Sequence, residues 1–208
     1  MKLLLYFSIS IILFEFIIFI LINILRTRIP WIITNKDEHP KYSIDKINNF
    51  FKKTFDYYLG WNWRPYSNHK EKFSTRFNHI FFGKFGERKG KLIKKKNIFA
   101  SFGDSFVFCR FVKNNQTWQE YLNKLSNFKG LNLGVGNYGL DQIYLKYLKT
   151  NIPKNIEIIF IGFVPEALSR CLCSWKHYHE FNNIYGFKPK FVNYKNSIRL
   201  INNPIYNQ

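Results

Sequence analysis

A serine gains chemical interest when its hydroxyl is exposed at the end of a buried strand and its N–H is free to face a developing negative charge. Ser105 has that setting. The run Asn97-Ile98-Phe99-Ala100-Ser101-Phe102 has the composition of a buried strand, and Gly103-Asp104-Ser105-Phe106 follows it at once. The first residues of a turn or helix lack internal partners for their N–H groups, so Ser105 offers both a hydroxyl and a donor. A second loop, Gly134-Val135-Gly136-Asn137-Tyr138-Gly139, brings flexible backbone and one amide side chain to the end of another apolar run. Ser105, Gly136 and Asn137 therefore form a candidate oxyanion hole, with Ser105 the candidate catalytic residue and Asp104 a support that orients the turn. Gly-Asp-Ser alone is a common turn. Its place after a buried strand, with a glycine-rich loop after the next, gives it weight.

The elements around these residues fit one scheme. Leu131-Asn132-Leu133-Gly134-Val135 reads as a second strand, and Glu157 to Phe163 as a third, whose continuous apolar run suits burial on both faces. Between them lie two helical segments. Thr117–Leu125 carries Trp118, Tyr121, Leu122 and Leu125 on one side, and Asp141–Lys149 carries Ile143, Tyr144, Tyr147 and Leu148. Alternating strands and helices predict a parallel α/β sheet, whose ligands sit beyond the carboxyl ends of the strands. Ser105, the 134–139 loop and the turn after Phe163 all fall at that edge. Upstream, Ser43–Tyr58 has helical spacing, Leu59 to Pro65 is an irregular aromatic stretch, and Lys190–Ile201 reads as a short hairpin around Asn193–Ser197.

Leu3–Leu25 is an apolar run long enough to span a bilayer, interrupted only by Glu15, and it reads as a retained single-span anchor. The organisation is then an anchor over residues 1–28, a juxtamembrane extension over 29–96 and a folded domain from 97 onward. The count of flanking positive charges favours a cytoplasmic location for that domain. The formal net charge of +19 suits nucleic acid, an anionic membrane surface or acidic glycans. Yet the lysines are scattered, and the longest cluster, Lys89, Lys91 and Lys94–Lys96, reads as a solvated loop, so no nucleic-acid partner is expected. With 46% hydrophobic and 20% aromatic residues the chain can build a core, which argues against disorder. Cys109, Cys171 and Cys173 lack zinc or disulfide-framework spacing and read as free thiols. No metal or other cofactor is expected.

Taken together, Phe102-Gly103-Asp104-Ser105-Phe106-Val107-Phe108 resembles the first block of the GDSL/SGNH hydrolases. Asn132 to Gln142 resembles the second block of a membrane-anchored bacterial branch, as do Ile161-Gly162-Phe163-Val164-Pro165-Glu166 and Ser174-Trp175-Lys176-His177-Tyr178. The resemblance implies a three-layer α/β/α sandwich with a parallel sheet, of SGNH/flavodoxin type. It also implies esterase, lipase or acyl-transfer chemistry on acylated glycans or lipids, with the globular part outside the cytoplasm.

Three departures follow from the same comparison. Where the family places an asparagine after the third strand, this chain has Val164-Pro165-Glu166. The family's catalytic histidine, three residues after an aspartate, has no counterpart after Glu180. Asp37-Glu38-His39-Pro40 is a superficial substitute beside the membrane, while His177 and His179 suit structural or substrate-contacting roles. Finally, only three of the five strands expected are legible, so the domain over 97–208 reads as C-terminally shortened, with an exposed sheet edge. The expectation is an enzyme inactive or incomplete as this chain. The alternative is a non-catalytic glycan-binding or assembly protein on the same scaffold, with Trp61, Trp63, Trp175 and Tyr178 as sugar-stacking candidates.

Overall fold

The computed structural model describes residues 2–28, 43–73, 76–91, 95–180 and 183–205. The apolar run forms α1 (Lys2–Arg28), one continuous helix. At ~1.5 Å per residue it is ~40 Å long. Its Leu3–Leu25 stretch, of mean hydropathy 2.6, is long and apolar enough to cross a membrane. Asp37 to Pro40 lies outside the described residues, as does Lys94.

Helix α2 (Ile44–Lys53) stops short of Tyr58 because Asp56 Oδ1 accepts from the N–H groups of Tyr58 and Leu59, each at 2.9 Å, and turns the chain. Strands β1 (Phe55–Asp56) and β2 (Gly60–Trp61) pair antiparallel, as do β3 (Asn68–Phe73) and β4 (Arg76–Phe81). The mixed α/β part then runs β5 (Asn97–Gly103), α3 (Ser105–Phe108), α4 (Trp118–Leu125), β6 (Phe128–Asn132), α5 (Leu140–Lys149) and β7 (Ile156–Gly162). Its sheet is parallel and three-stranded, in the order β6-β5-β7. The short α6 (Glu166–Ser169) follows. A hairpin of β8 (Lys190–Tyr194) and β9 (Ser197–Ile201) turns through Lys195 and Asn196, both at positive φ as a type I′ turn requires.

Alternation along β5 directs its side chains to two helices. Phe99 stacks on Trp118, and Ser101 Oγ accepts from Gln119 Nε2 at 3.0 Å, so this face meets α4. Phe102 meets Tyr147 edge-on, and Ala100 and Phe102 are buried with Ile143, so the opposite face meets α5. Each fully buried large side chain here contributes ~1.5–3 kcal/mol. Leu59, Trp61 and Trp63 pack on the same core, so the packing runs across residue 96 without a break.

Three expectations are corrected. Strand β6 lies three residues earlier than the apolar run suggested. Asn132 Oδ1 accepts from Gly134 N at 3.1 Å and bends the chain, although Leu133 and Val135 still donate to the carbonyls of Ser101 and Gly103, each at 2.9 Å. Strand β7 is not buried on both faces. Like β6 it is an edge strand of the described sheet, and Ile158 to Ile161 are 39–48% exposed.

The buried sides of α4 and α5 also differ from their apolar stripes. Tyr121, Leu125, Tyr144 and Leu148 are exposed, whereas Gln119, Glu120, Asn123, Asp141, Gln142 and Lys146 are buried. These polar groups hold backbone and one another. Asn123 Oδ1 accepts from Gly130 N at 2.7 Å, and Gln142 Nε2 donates to Leu59 O at 2.6 Å.

Candidate functional site

Strand order reverses direction at β5, since the chain passes to β6 on one side and then to β7 on the other. Crevices at the carboxyl ends of strands flanking such a reversal are where open α/β sheets bind ligands. The Gly103–Ser105 turn occupies that position between β5 and the exit of β7. Asp104 is fully buried. Its Oδ1 accepts from Phe106 N at 2.9 Å and caps α3, while Oδ2 accepts from Val164 N at 3.2 Å. Both carboxylate oxygens are thereby committed to tying the start of α3 to the end of β7.

Ser105 is the first residue of α3 and half-buried. Its N–H has no intrahelical acceptor, and neither its N–H nor its Oγ bonds to any described residue. The chain beyond α3 passes through Cys109 and Phe111, both left-handed at φ 59° and 71°. Non-glycine residues in that region cost about 1–3 kcal/mol each and persist where neighbours fix them. The fixing group is Arg88, which is itself buried. It donates from Nη1 to Phe108 O (3.0 Å) and Cys109 O (2.8 Å), from Nη2 to Val112 O (2.6 Å), and from Nε to Asn114 Oδ1 (3.0 Å).

The 133–139 loop runs alongside. A Cβ on Gly134 would stand 2.3 Å from Phe108 N, so only glycine allows the loop to lie against α3. Gly136 is the opposite case, with open space where a Cβ would be, and its carbonyl accepts from Trp61 Nε1 at 3.0 Å. Asn137 is left-handed (φ 67°), and its amide makes only a long 3.5 Å contact with Asn183 Oδ1.

Gly136 and Asn137 line one cavity of about 270 Å³, walled also by Trp61, Trp63, His69, Glu71 and Arg110. Ser105 does not line it. The serine is joined to a lining residue through Arg110 N, which donates to Ser105 O at 3.1 Å. Of the expected trio, Gly136 and Asn137 line this cavity and Ser105 does not. Residues missed by sequence reasoning lie within. His69 and Glu71 are two apart on β3 and share a face. Glu71 Oε1 accepts from Arg110 Nε at 3.0 Å. Burial, opposed by Glu71, holds the imidazole of His69 below its usual 6.5. The indole N–H of Trp63 is buried with no acceptor among the described residues. Alternation placing His69 with Glu71 is visible in Asn68–Phe73, but no apolar pattern marks that stretch as a strand.

The other histidines have different neighbours. His177 stacks on Trp175, and His179 Nε2 lies 2.8 Å from Ser169 Oγ. Neither contacts Ser105. Both lie on a single 3-10 turn and its end rather than a longer helix. Glu180 joins Arg170 and Lys176, each at 2.6 Å. Burial would raise its carboxyl, but those two cations hold it below the usual carboxylate range. Lys188 pairs with Asp141, both buried, and so ties the segment before the hairpin to the start of α5. Glu166 is exposed at the first turn of α6. Cys109, Cys171 and Cys173 are free, and burial raises all three thiols. Among the described residues no group of three His, Cys, Asp or Glu side chains could hold a metal ion.

Comparison of the chain with protein-family models, with curated proteins and with solved structures gives no match. What stands without relatives is the class: a mixed α/β chain with a three-stranded parallel sheet, preceded by one helix long and apolar enough to span a membrane.

Proposed function

We propose that this chain is an SGNH/GDSL-type serine esterase or acyltransferase-like protein acting on acylated glycans or lipids. In this reading the α/β part belongs to a three-layer sandwich, held by α1 at a membrane with the globular part on its extracytoplasmic side. One observation carries the proposal: a half-buried serine with an unbonded hydroxyl and N–H sits at a switch point of the sheet, on a turn locked by Asp104. Ser105 Oγ attacks the acyl carbonyl, and its proton leaves to a base. The oxyanion rests on the N–H groups of Ser105 and the Gly136–Asn137 loop. The bond to the alcohol then breaks as that oxygen is protonated, and water or an acceptor hydroxyl takes the acyl group from Ser105. No described residue stands as the base, so these residues alone turn over slowly, within the ~10³–10⁴ over water that an incomplete triad retains. The test is labelling of the full chain by a fluorophosphonate. Label on wild type and none on Ser105→Ala supports the reading, whereas equal labelling of both rejects it.

A second reading, a non-catalytic glycan-binding or assembly protein on the same scaffold, is favoured by one specific fact: no histidine ring among the described residues reaches Ser105. Glycan binding by a chain that never labels distinguishes it.

A further inference from the structure

We infer that the cavity between Trp61, Trp63 and the Gly136–Asn137 loop binds a single neutral pyranose ring. The link to chemistry, that this sugar carries the acyl group presented to Ser105, rests on the function proposed above. The binding site itself does not.

Size comes first. Pockets for drug-sized ligands occupy ~300–1,000 Å³, and this one, at about 270 Å³, lies just below that range and suits one ring. Its walls suit an amphipathic ring. Among the described residues Trp61 makes a single aromatic contact, edge-on with Tyr138, and its N–H is fixed on Gly136 O, so the indole is a held platform. Around it stand groups that hydroxyls can use. Asn137 brings an amide engaged only at 3.5 Å, and Glu71 brings a carboxylate, both in the lining. An aromatic surface with few placed polar groups is the usual composition of small-molecule sites.

Charge decides against an anion. The chain carries +19 overall, yet among the residues lining this cavity the one guanidinium, Arg110, is already paired with Glu71, and burial disfavours the charged form of His69. A phosphate or uronate would find the lining guanidinium already taken and would meet the Glu71 carboxylate, with Lys53 near His69 but outside the lining.

The experiment is a tryptophan-fluorescence titration of the full chain in a sugar-free amine-oxide detergent. Its ligands are methyl glucoside, methyl galactoside and methyl N-acetylglucosaminide, with glucuronate and glucose 6-phosphate as anionic counterparts. Saturable binding of at least one neutral glycoside is expected, with the anionic sugars at least tenfold weaker. Asn137→Ala and Trp61→Ala should each weaken it tenfold or more, and the first leaves the aromatic wall intact if the second fails to fold. Binding by no neutral glycoside, tighter binding of an anionic sugar, or unchanged affinity in Asn137→Ala overturns the inference. Sugar binding absent while Ser105 still labels rejects the subsite alone, and sugar binding present without label rejects the serine chemistry alone.

Discussion

The carboxyl end of β5 and the outer edge of β7 belong to one sheet but are built differently. Around the first, Asp104 uses both oxygens, Arg88 holds three carbonyls, and Gly134 lies against the backbone of α3 with no room for a methyl group. Along the second, Ile158 to Ile161 are more than a third exposed, and no described strand takes their outer hydrogen-bonding groups. Fixed polar ties thus gather around the turn that displays Ser105. The β7 edge, where ordinary hydrophobic burial would suffice, is left open.

The contrast can be broken most severely at Arg88. Arg88→Ala strips Val112 O of its donor and leaves Phe108 O only Asn132 Nδ2 at 3.3 Å and Cys109 O only Val112 N at 3.5 Å, with an orphaned carbonyl worth about 1–3 kcal/mol and the two weakened ones adding to it. A loss of ~4 kcal/mol in urea unfolding is expected, with Arg88→Lys recovering only part because a point charge cannot fork across three acceptors. A loss below ~1 kcal/mol would mean that the turn is held by other means.

Gly134→Ala comes next, at ~2–3 kcal/mol, because the new methyl group meets backbone rather than a movable side chain. Gly136→Ala, two residues on, should change stability by less than ~0.5 kcal/mol. If the two variants melt together, the close approach of loop and helix is not real.

Lys146 asks whether every buried polar group near this end is a tie. Its ammonium donates to Asn62 Oδ1 at 2.9 Å, and burial lowers its pKa to about 7 from an ordinary 10.5. Between those values the unfolded chain keeps a proton that the folded chain has released, so stability should rise with pH by up to ~1.4 kcal/mol per unit. Below pH 7 both forms are charged and the dependence vanishes. Lys146→Met should flatten the curve over pH 7–10 and raise stability at pH 7, and a slope that survives the substitution must belong to another group.

The smallest effect belongs to β7. Ile161→Lys should move the unfolding free energy by less than ~0.5 kcal/mol while reducing concentration-dependent association in light scattering, because a lysine blunts an open edge. A large loss of stability would show that the edge is covered in solution.

Much of the fold was legible, and the reason is local. Strand β5, the turn to Ser105 and the run of β7 are contiguous, so hydrophobic runs and turn chemistry reveal them. The helices were legible in position and only partly in orientation. Gln119, Asn123 and Gln142 are buried because their amides bind backbone. An apolar stripe therefore locates only part of a contact face that is also polar, since Trp118, Ile143 and Tyr147 do meet β5 while Tyr121, Leu125, Tyr144 and Leu148 do not. The exposure of β7 could not be read from its own residues, because an edge is defined by what lies beside a strand. Least legible was the cavity. Its walls come from Trp61, His69, Arg110, Asn137 and Tyr185, which share no spacing. That Gly136 and Asn137 line it while Ser105 does not was hidden for the same reason.

The reach of Arg88 has one more consequence. The bend after Ser105 is secured by a side chain seventeen positions earlier, from outside the strand–turn–helix unit that displays the serine. Such a turn is not a portable cassette. Transplanting Asn97–Phe108 into another parallel sheet would carry the motif but leave behind its brace, and the serine would arrive on a loop free to relax.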